Sequence, residues 1–272
     1  MASIREIPEP GNYYTEPTFL DVNGLQTAYR RKGKGEAVLF LHGAGSTRMW
    51  LPMYERFAGS VDFIAPEHPG FGATDRPDWL ESFNDLVIHY DQFLSELNID
   101  RLHVVGWSLG GWTAAELASY YPRVLKSLTL IVPIGLRLPD NPGVDMFQLL
   151  PEELVDLLFN DKDAIAAVAP DPENFEEMCH AHYEASTFAK LIWSPRYNLA
   201  LEHRLQRLQC PTLIVKAEDD RLVPNEMADR FAEVIPGAKT TTIPETGHAL
   251  CIERPNETAD AILAFIKESG NE

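Results

Sequence analysis

Gly106-Trp107-Ser108-Leu109-Gly110 constrains this chain more than any other stretch. It fits G-x-S-x-G, and its flanks sharpen the match. Leu102-His103-Val104-Val105 precedes it and reads as a buried strand, while Gly111 to Tyr121 follows it and reads as a helix. A serine between a strand and a helix sits on a sharp, strained turn. Its hydroxyl is then exposed at a helix N-terminus, where backbone N–H groups favour negative charge. The bland alternative is a glycine-rich strand-to-helix turn with a bystander serine.

The rest of the chain repeats the strand–helix alternation. Thr18–Val22 and Leu25–Arg30 read as strands joined at Asn23-Gly24, two positions that tolerate positive φ. Ala37–Leu41 is apolar throughout, as a strand covered on both faces should be. It runs into His42-Gly43-Ala44-Gly45, which reads as an oxyanion-hole loop in the company of the elbow. The Ala44 and Leu109 N–H groups are the expected donors. Val61–Ala65 is the next strand and Pro66–Gly72 its loop. Ser82–Leu97 carries apolar residues at spacings of three and four, which predicts an amphipathic helix. Lys126–Val132, Pro211–Ala217 and Lys239–Ile243 complete the strands. Asn256–Glu268 is a closing helix, with Asn256 as its N-cap.

Between Ile134 and Arg204 the alternation stops, and proline and acidic residues interrupt helical runs at Glu152–Phe159 and Glu173–Leu191. This predicts a helical cap over residues 134–204, inserted into a core of residues 1–133 and 205–272. Apolar residues there, among them Met146, Phe147, Leu150, Phe175, Met178, Phe188 and Trp193, are expected to line an apolar pocket, with Trp107 beside the serine. For each of them taken singly, ordinary inter-helix packing is the competing reading.

A serine hydroxyl is a poor nucleophile until a base takes its proton, and that base is commonly a histidine oriented by a carboxylate. Ser108, Asp220 and His248 all follow strand ends, in the chain order Ser, Asp, His. Together with His42-Gly43-Ala44-Gly45, Pro69-Gly70-Phe71-Gly72, Glu218–Pro224 and Thr246-Gly247-His248, the elbow resembles the α/β-hydrolase family over nearly the full length. The resemblance implies an α/β fold with a mostly parallel eight-stranded sheet flanked by helices. It makes the second aspartate, Asp220, the triad acid, with Asp219 the alternative. His42 is then structural.

A serine nucleophile implies acyl transfer. The elbow resembles that of small carboxylesterases, and the size and cap resemble the meta-cleavage-product C–C hydrolases. The latter usually carry asparagine before the serine and tryptophan after the histidine, where this chain has Trp107 and Ala249. Cofactor-free perhydrolases share the triad. The expected activity is hydrolysis of carboxylic esters of modest-sized, fairly apolar substrates, with C–C hydrolysis or perhydrolysis the alternative. A ligand-binding protein of the same fold with little turnover is the alternative of another class.

Composition narrows the partners. A net charge of −18 over 272 residues disfavours nucleic acid and anionic membrane. No stretch is long and apolar enough for a membrane span. Met1–Pro8 lacks the apolar core of a secretory signal. Three scattered cysteines suit a reducing, cytoplasmic setting. Cys179-His180-Ala181-His182 matches no zinc spacing, so no metal or cofactor is expected. A small-molecule substrate and a monomer or homodimer are expected.

Overall fold

The computed structural model describes residues 13–169, 171, 173–193 and 195–270, so the N-terminal octapeptide lies outside the described residues. Asn23 and Gly24 take φ of 51° and 86° and close a hairpin between β1 (Thr18–Val22) and β2 (Leu25–Gly33). Six further strands follow: β3 (Ala37–Leu41), β4 (Asp62–Pro66), β5 (Leu102–Trp107), β6 (Leu125–Ile131), β7 (Thr212–Ala217) and β8 (Lys239–Ile243). They form one eight-stranded sheet in the order β1-β2-β4-β3-β5-β6-β7-β8. The two β2 pairings are antiparallel, and every pairing from β4 to β8 is parallel.

The central strands bury both faces, and their alternation decides which layer each residue meets. Leu39, Leu41 and Val104 join a core with helices α2 (Phe83–Glu96), α3 (Leu109–Tyr120), α6 (Leu199–Leu205) and α7 (Asn225–Val234). Val38, Phe40, Val105 and Trp107 join a second core with α1 (Pro52–Ala58), α8 (Leu250–Glu253) and α9 (Pro255–Ser269). After β3 the chain steps outward to β4, whereas after β5 it steps the other way to β6. The carboxyl ends of β3 and β5 therefore flank a topological switch point, where open α/β sheets bind ligands.

Local chemistry sets the helix starts. Asp85 accepts hydrogen bonds from the Ser82 N–H and hydroxyl at 2.8 and 2.9 Å, which seals the start of α2. The expected cap at Asn256 is corrected. Arg254 is the N-cap of α9 and Pro255 occupies the first turn, because its fixed φ and missing N–H suit that position.

Between β6 and α6 lie α4 (Pro151–Leu158) and α5 (Phe175–Ile192), with 3₁₀ turns at Met146–Gln148 and Lys162–Ala167. A bridge between Gly135 and Tyr197 clasps the two ends of this stretch. The helix α6 packs on α3 and α7.

Candidate active site

The elbow is built by close approach. Ser108 has φ 53° and ψ −109°, a conformation an L-residue adopts only under constraint. The constraint comes from β5 on one side and α3 on the other, with the Ser108 N–H donating to the Ile131 carbonyl at 2.9 Å. A Cβ on Gly106 would collide with the Gly110 carbonyl, and one on Gly110 with the Leu41 carbonyl. The glycines of the motif are thus the spacing that lets β3, β5 and α3 meet.

His248 Nε2 lies 2.8 Å from Ser108 Oγ, and His248 Nδ1 lies 2.8 Å from Asp220 Oδ2. The imidazole side chain is 3 % exposed and the carboxylate 1 %. Asp220 Oδ1 accepts from the N–H groups of Leu222 at 3.0 Å and Val223 at 2.8 Å. One carboxylate oxygen is thereby fixed by its own turn, and the other faces the ring. With Asp220 accepting at Nδ1–H, Nε2 is left as an acceptor for the Ser108 proton. Asp219 is exposed and its carboxylate accepts from Asn160 Nδ2 at 3.0 Å. The structure brings Ser108, Asp220 and His248 together and leaves Asp219 out.

The loop after β3 is held from beneath. His42 Nδ1–H donates to the Gly43 carbonyl at 2.7 Å and His42 Nε2 accepts from the His68 N–H at 3.0 Å. His68 Nε2–H donates to the His42 carbonyl at 2.9 Å. Burial pushes the pKa of both imidazoles below the usual histidine value, and for His68 the proximity of His42 adds to it. A neutral His42 ring is what this bond pattern requires, because its Nε2 must accept. Ala44 and Gly45 form the exposed turn above, and Gly43 packs on the Trp107 ring. Leu109 opens α3, so its N–H is one of the four first-turn donors without an intrahelical acceptor.

The profile of the alpha/beta hydrolase family matches residues 38–261. The chain belongs to that family. It is 26 % identical to the 2-hydroxy-6-oxo-6-(2'-aminophenyl)hexa-2,4-dienoic acid hydrolase of Metapseudomonas resinovorans, over 91 % of this chain and 90 % of that one. It is 25 % identical to the mouse monoacylglycerol lipase ABHD6, over 89 % of this chain and 78 % of that one. Among solved structures, a membrane phospholipase A superposes with a TM-score of 0.80 at 24 % identity, covering 94 % of this chain and 87 % of that one. No helix among the described residues is long and apolar enough to cross a membrane.

In this alpha/beta hydrolase the expected pocket residues separate into two groups. Phe147 contacts both Phe188 and Trp193, with ring centroids 5.8 and 5.3 Å apart. Phe188 is buried, Met146 and Phe147 are half-buried, and Trp193 is 64 % exposed. Trp107 is corrected as a pocket wall. It is 4 % exposed, belongs to the core on the opposite face of the sheet, and its Nε1–H donates to the His248 carbonyl at 3.1 Å. Phe175 and Leu150, like Trp193, are largely exposed, at 79 % and 63 %.

The phase of α5 explains part of this. Its buried stripe is Glu177, His180, Glu184, Thr187, Phe188, Leu191 and Ile192, a face polar over its first half that turns Phe175 and Met178 outward. Glu184 accepts from Thr47 Oγ1 at 2.6 Å and the Gly72 N–H at 2.8 Å, with His180 Nε2 at 3.0 Å. Burial raises its pKa, but the His180, Thr47 and Gly72 partners outweigh that and hold it below the usual carboxylate range. Arg76 binds the same face through Tyr183, Ser186 and Thr187. A helix of the expected cap is therefore bolted to the loops after β3 and β4. Cys179 and His182 face outward while His180 faces inward, so the Cys-His-Ala-His run does not converge.

Sequence reasoning missed Glu184, Glu67, Glu253 and Asn160. Glu67 pairs with Arg30 at 2.7 Å with both side chains buried, and also accepts from the Arg48 N–H at 2.7 Å. The readable signal was Glu184 four residues after His180, on the stripe that continues to Phe188 and Leu191.

Proposed function

We propose that this chain is a serine hydrolase that cleaves carboxylic esters of small to medium, fairly apolar substrates through an acyl-enzyme. The observation that carries the reading is the unbroken relay from Ser108 Oγ through His248 to Asp220, with both bonds at 2.8 Å. Ser108 Oγ attacks the ester carbonyl carbon while His248 Nε2 takes its proton. The carbonyl oxygen becomes an oxyanion that the Ala44 and Leu109 N–H groups stabilise. Collapse breaks the bond to the alkoxy oxygen, which leaves as an alcohol with the proton from His248. Water, deprotonated by His248, then attacks the acyl carbon and frees the acid and Ser108.

The ester reading is supported by the monoacylglycerol lipase relative, whose name describes ester cleavage. A second reading, C–C hydrolysis of a vinylogous diketone, is supported by the dienoic acid hydrolase relative. The ester is favoured because Trp107 and Ala249 stand where C–C hydrolases of this fold usually have asparagine and tryptophan, and both are committed to buried packing. We place substrate choice with residues 134–204, where Phe147 and Phe188 offer apolar contact. The chain works in a reducing compartment on this reading, its three cysteines being free thiols.

Hydrolysis of p-nitrophenyl esters from acetate to longer acyl chains, with Ser108→Ala as control, tests the proposal. The expected result is turnover that Ser108→Ala abolishes without loss of fold. Full activity in folded Ser108→Ala would overturn the nucleophile. Cleavage of a vinylogous diketone with no ester turnover would replace the first reading by the second.

A further inference from the structure

The loop that carries His248 is held at three consecutive backbone positions. The Gly247 N–H donates to Glu253 Oε2 at 2.8 Å. The His248 carbonyl accepts from Trp107 Nε1 at 3.1 Å. The Ala249 N–H donates to the Leu158 carbonyl at 2.9 Å. Two of these three bonds involve the segment that leaves α4, directly at Leu158 or through Glu253. Glu253 is 7 % exposed, and its Oε1 accepts from the N–H groups of Asn160 at 2.7 Å and Asp161 at 2.6 Å.

The same segment grips the acid loop. Asn160 Oδ1 accepts from Arg221 Nη2 at 2.8 Å, and Asn160 Nδ2 donates to Asp219 Oδ2 at 3.0 Å. The Phe159 carbonyl accepts from Arg221 Nη2 at 2.7 Å. Phe159 itself is buried in the core with Trp107 and Ala249. A Cβ on Gly247 would stand 2.7 Å from the Leu158 carbonyl, so strap and base loop touch backbone to backbone.

We propose that residues 158–161 form a strap that sets the catalytic base against the catalytic acid, and that Glu253 is the positioning residue that joins strap and base loop. This rests on the reading of Ser108, Asp220 and His248 as the triad. His248 must keep two hydrogen bonds at once, and a misplacement of about 1 Å in such an array costs about a hundredfold in rate. Asp220 orients the ring but does not fix the backbone that carries it. Glu253 does, because a buried carboxylate needs several donors and here takes them from both segments. A shift of the strap is thereby a shift of His248, so the seating of the inserted helices is read at the base itself.

Glu253→Gln tests this on the full chain. The amide keeps the shape but has one acceptor oxygen, so it satisfies the strap or Gly247 and not both. Asn160→Ala is a second variant at a half-buried position that frees the strap from Asp219 and leaves Arg221 only the Phe159 carbonyl. The readouts are kcat and KM on p-nitrophenyl acetate and the low-field proton resonance of the His248 imidazole, with circular dichroism to verify the fold. In Glu253→Gln the expected kcat falls by about ten- to a hundredfold with KM within about twofold, and the resonance broadens. Asn160→Ala gives a smaller change of the same kind, and carries the test alone if Glu253→Gln does not fold. Wild-type kcat and an unaltered resonance in the folded variants overturn the strap. A wild-type protein with neither turnover nor fluorophosphonate labelling removes the hydrolase reading instead, and the resonance still decides whether the strap orders the imidazole.

Discussion

Asp219 and Asp220 are adjacent, alike in side chain and opposite in surroundings. Asp220 turns inward onto His248 and two backbone N–H groups, while Asp219 turns outward onto Asn160. Loss of a carboxylate that holds a catalytic imidazole in its tautomer costs about four orders of magnitude in kcat. Asp220→Asn is therefore expected to lose about that much, and Asp219→Asn less than about tenfold; the ratio of their kcat values on one p-nitrophenyl ester is the check. Trp107 invites a second comparison. Trp107→Phe keeps a ring against Gly43 but removes the donor to the buried His248 carbonyl. An unpartnered buried carbonyl costs about 1–3 kcal/mol, to be read as a lower urea midpoint. Because the lost bond is at the base, kcat is expected to fall while KM holds. A variant with unchanged kcat would confine Trp107 to packing.

At the scale of elements, the strands and the elbow were legible because each carries its own signal. The apolar runs Ala37–Leu41 and Leu102–Val105 mark doubly covered strands, and Asn23-Gly24 marks a hairpin with positive φ at both positions. The juxtaposition of Ser108, Asp220 and His248 was legible because a nucleophile, base and acid of those types all follow strand ends. The helix α5 was legible as a helix but not in its phase. Its apolar residues predict a pocket lining, yet its buried face carries Glu177, His180, Glu184 and Thr187, and Glu184 is satisfied by loops that no periodicity reveals. The strap was illegible for a related reason. Its bonds to Glu253 are made by backbone N–H groups, which every sequence has, and α8 spans only Leu250–Glu253, too short for a period. The phase of α5 gives a direct test. Phe175→Ser on the exposed face is expected to move stability by less than about 0.5 kcal/mol. Glu184→Ala strands the Thr47 hydroxyl and the Gly72 N–H, and is expected to cost about 3–5 kcal/mol. Equal urea midpoints for the two variants would contradict the observed phase.

For the molecule as a whole, its buried histidines tie stability to pH. His42 and His68 are held neutral by burial, and burial lowers His89 and His103 to a pKa of about 4. In the unfolded chain each titrates near 6.5. Between those values the unfolded state binds more protons than the folded one, so stability rises with pH. For His89 and His103 the contribution is full above about pH 6.5 and is lost as pH falls toward 4, at about 1.4 kcal/mol per histidine per pH unit, and His42 and His68 add the same sign. Glu184, held below the usual carboxylate range, adds the same sign at lower pH: its contribution is present above the unfolded carboxylate value and lost as pH falls through the folded one. The net charge of −18 acts the other way, since acid relieves the mutual repulsion of a polyanion. That relief is spread over exposed carboxylates screened by salt, whereas the histidine loss is concentrated in the core. The histidines therefore prevail from pH 7 to 5, and the urea midpoint is expected to fall steadily across that interval at 0.15 M salt. His89 isolates the effect, because burial alone lowers it and its ring nitrogen meets Thr27 Oγ1 at 3.3 Å. His89→Gln places a neutral amide in the same slot, and its unfolding free energy between pH 5 and 6 should fall by about 1.4 kcal/mol less per pH unit than that of the parent protein. Parallel slopes for the two proteins would show that His89 takes up its proton without unfolding.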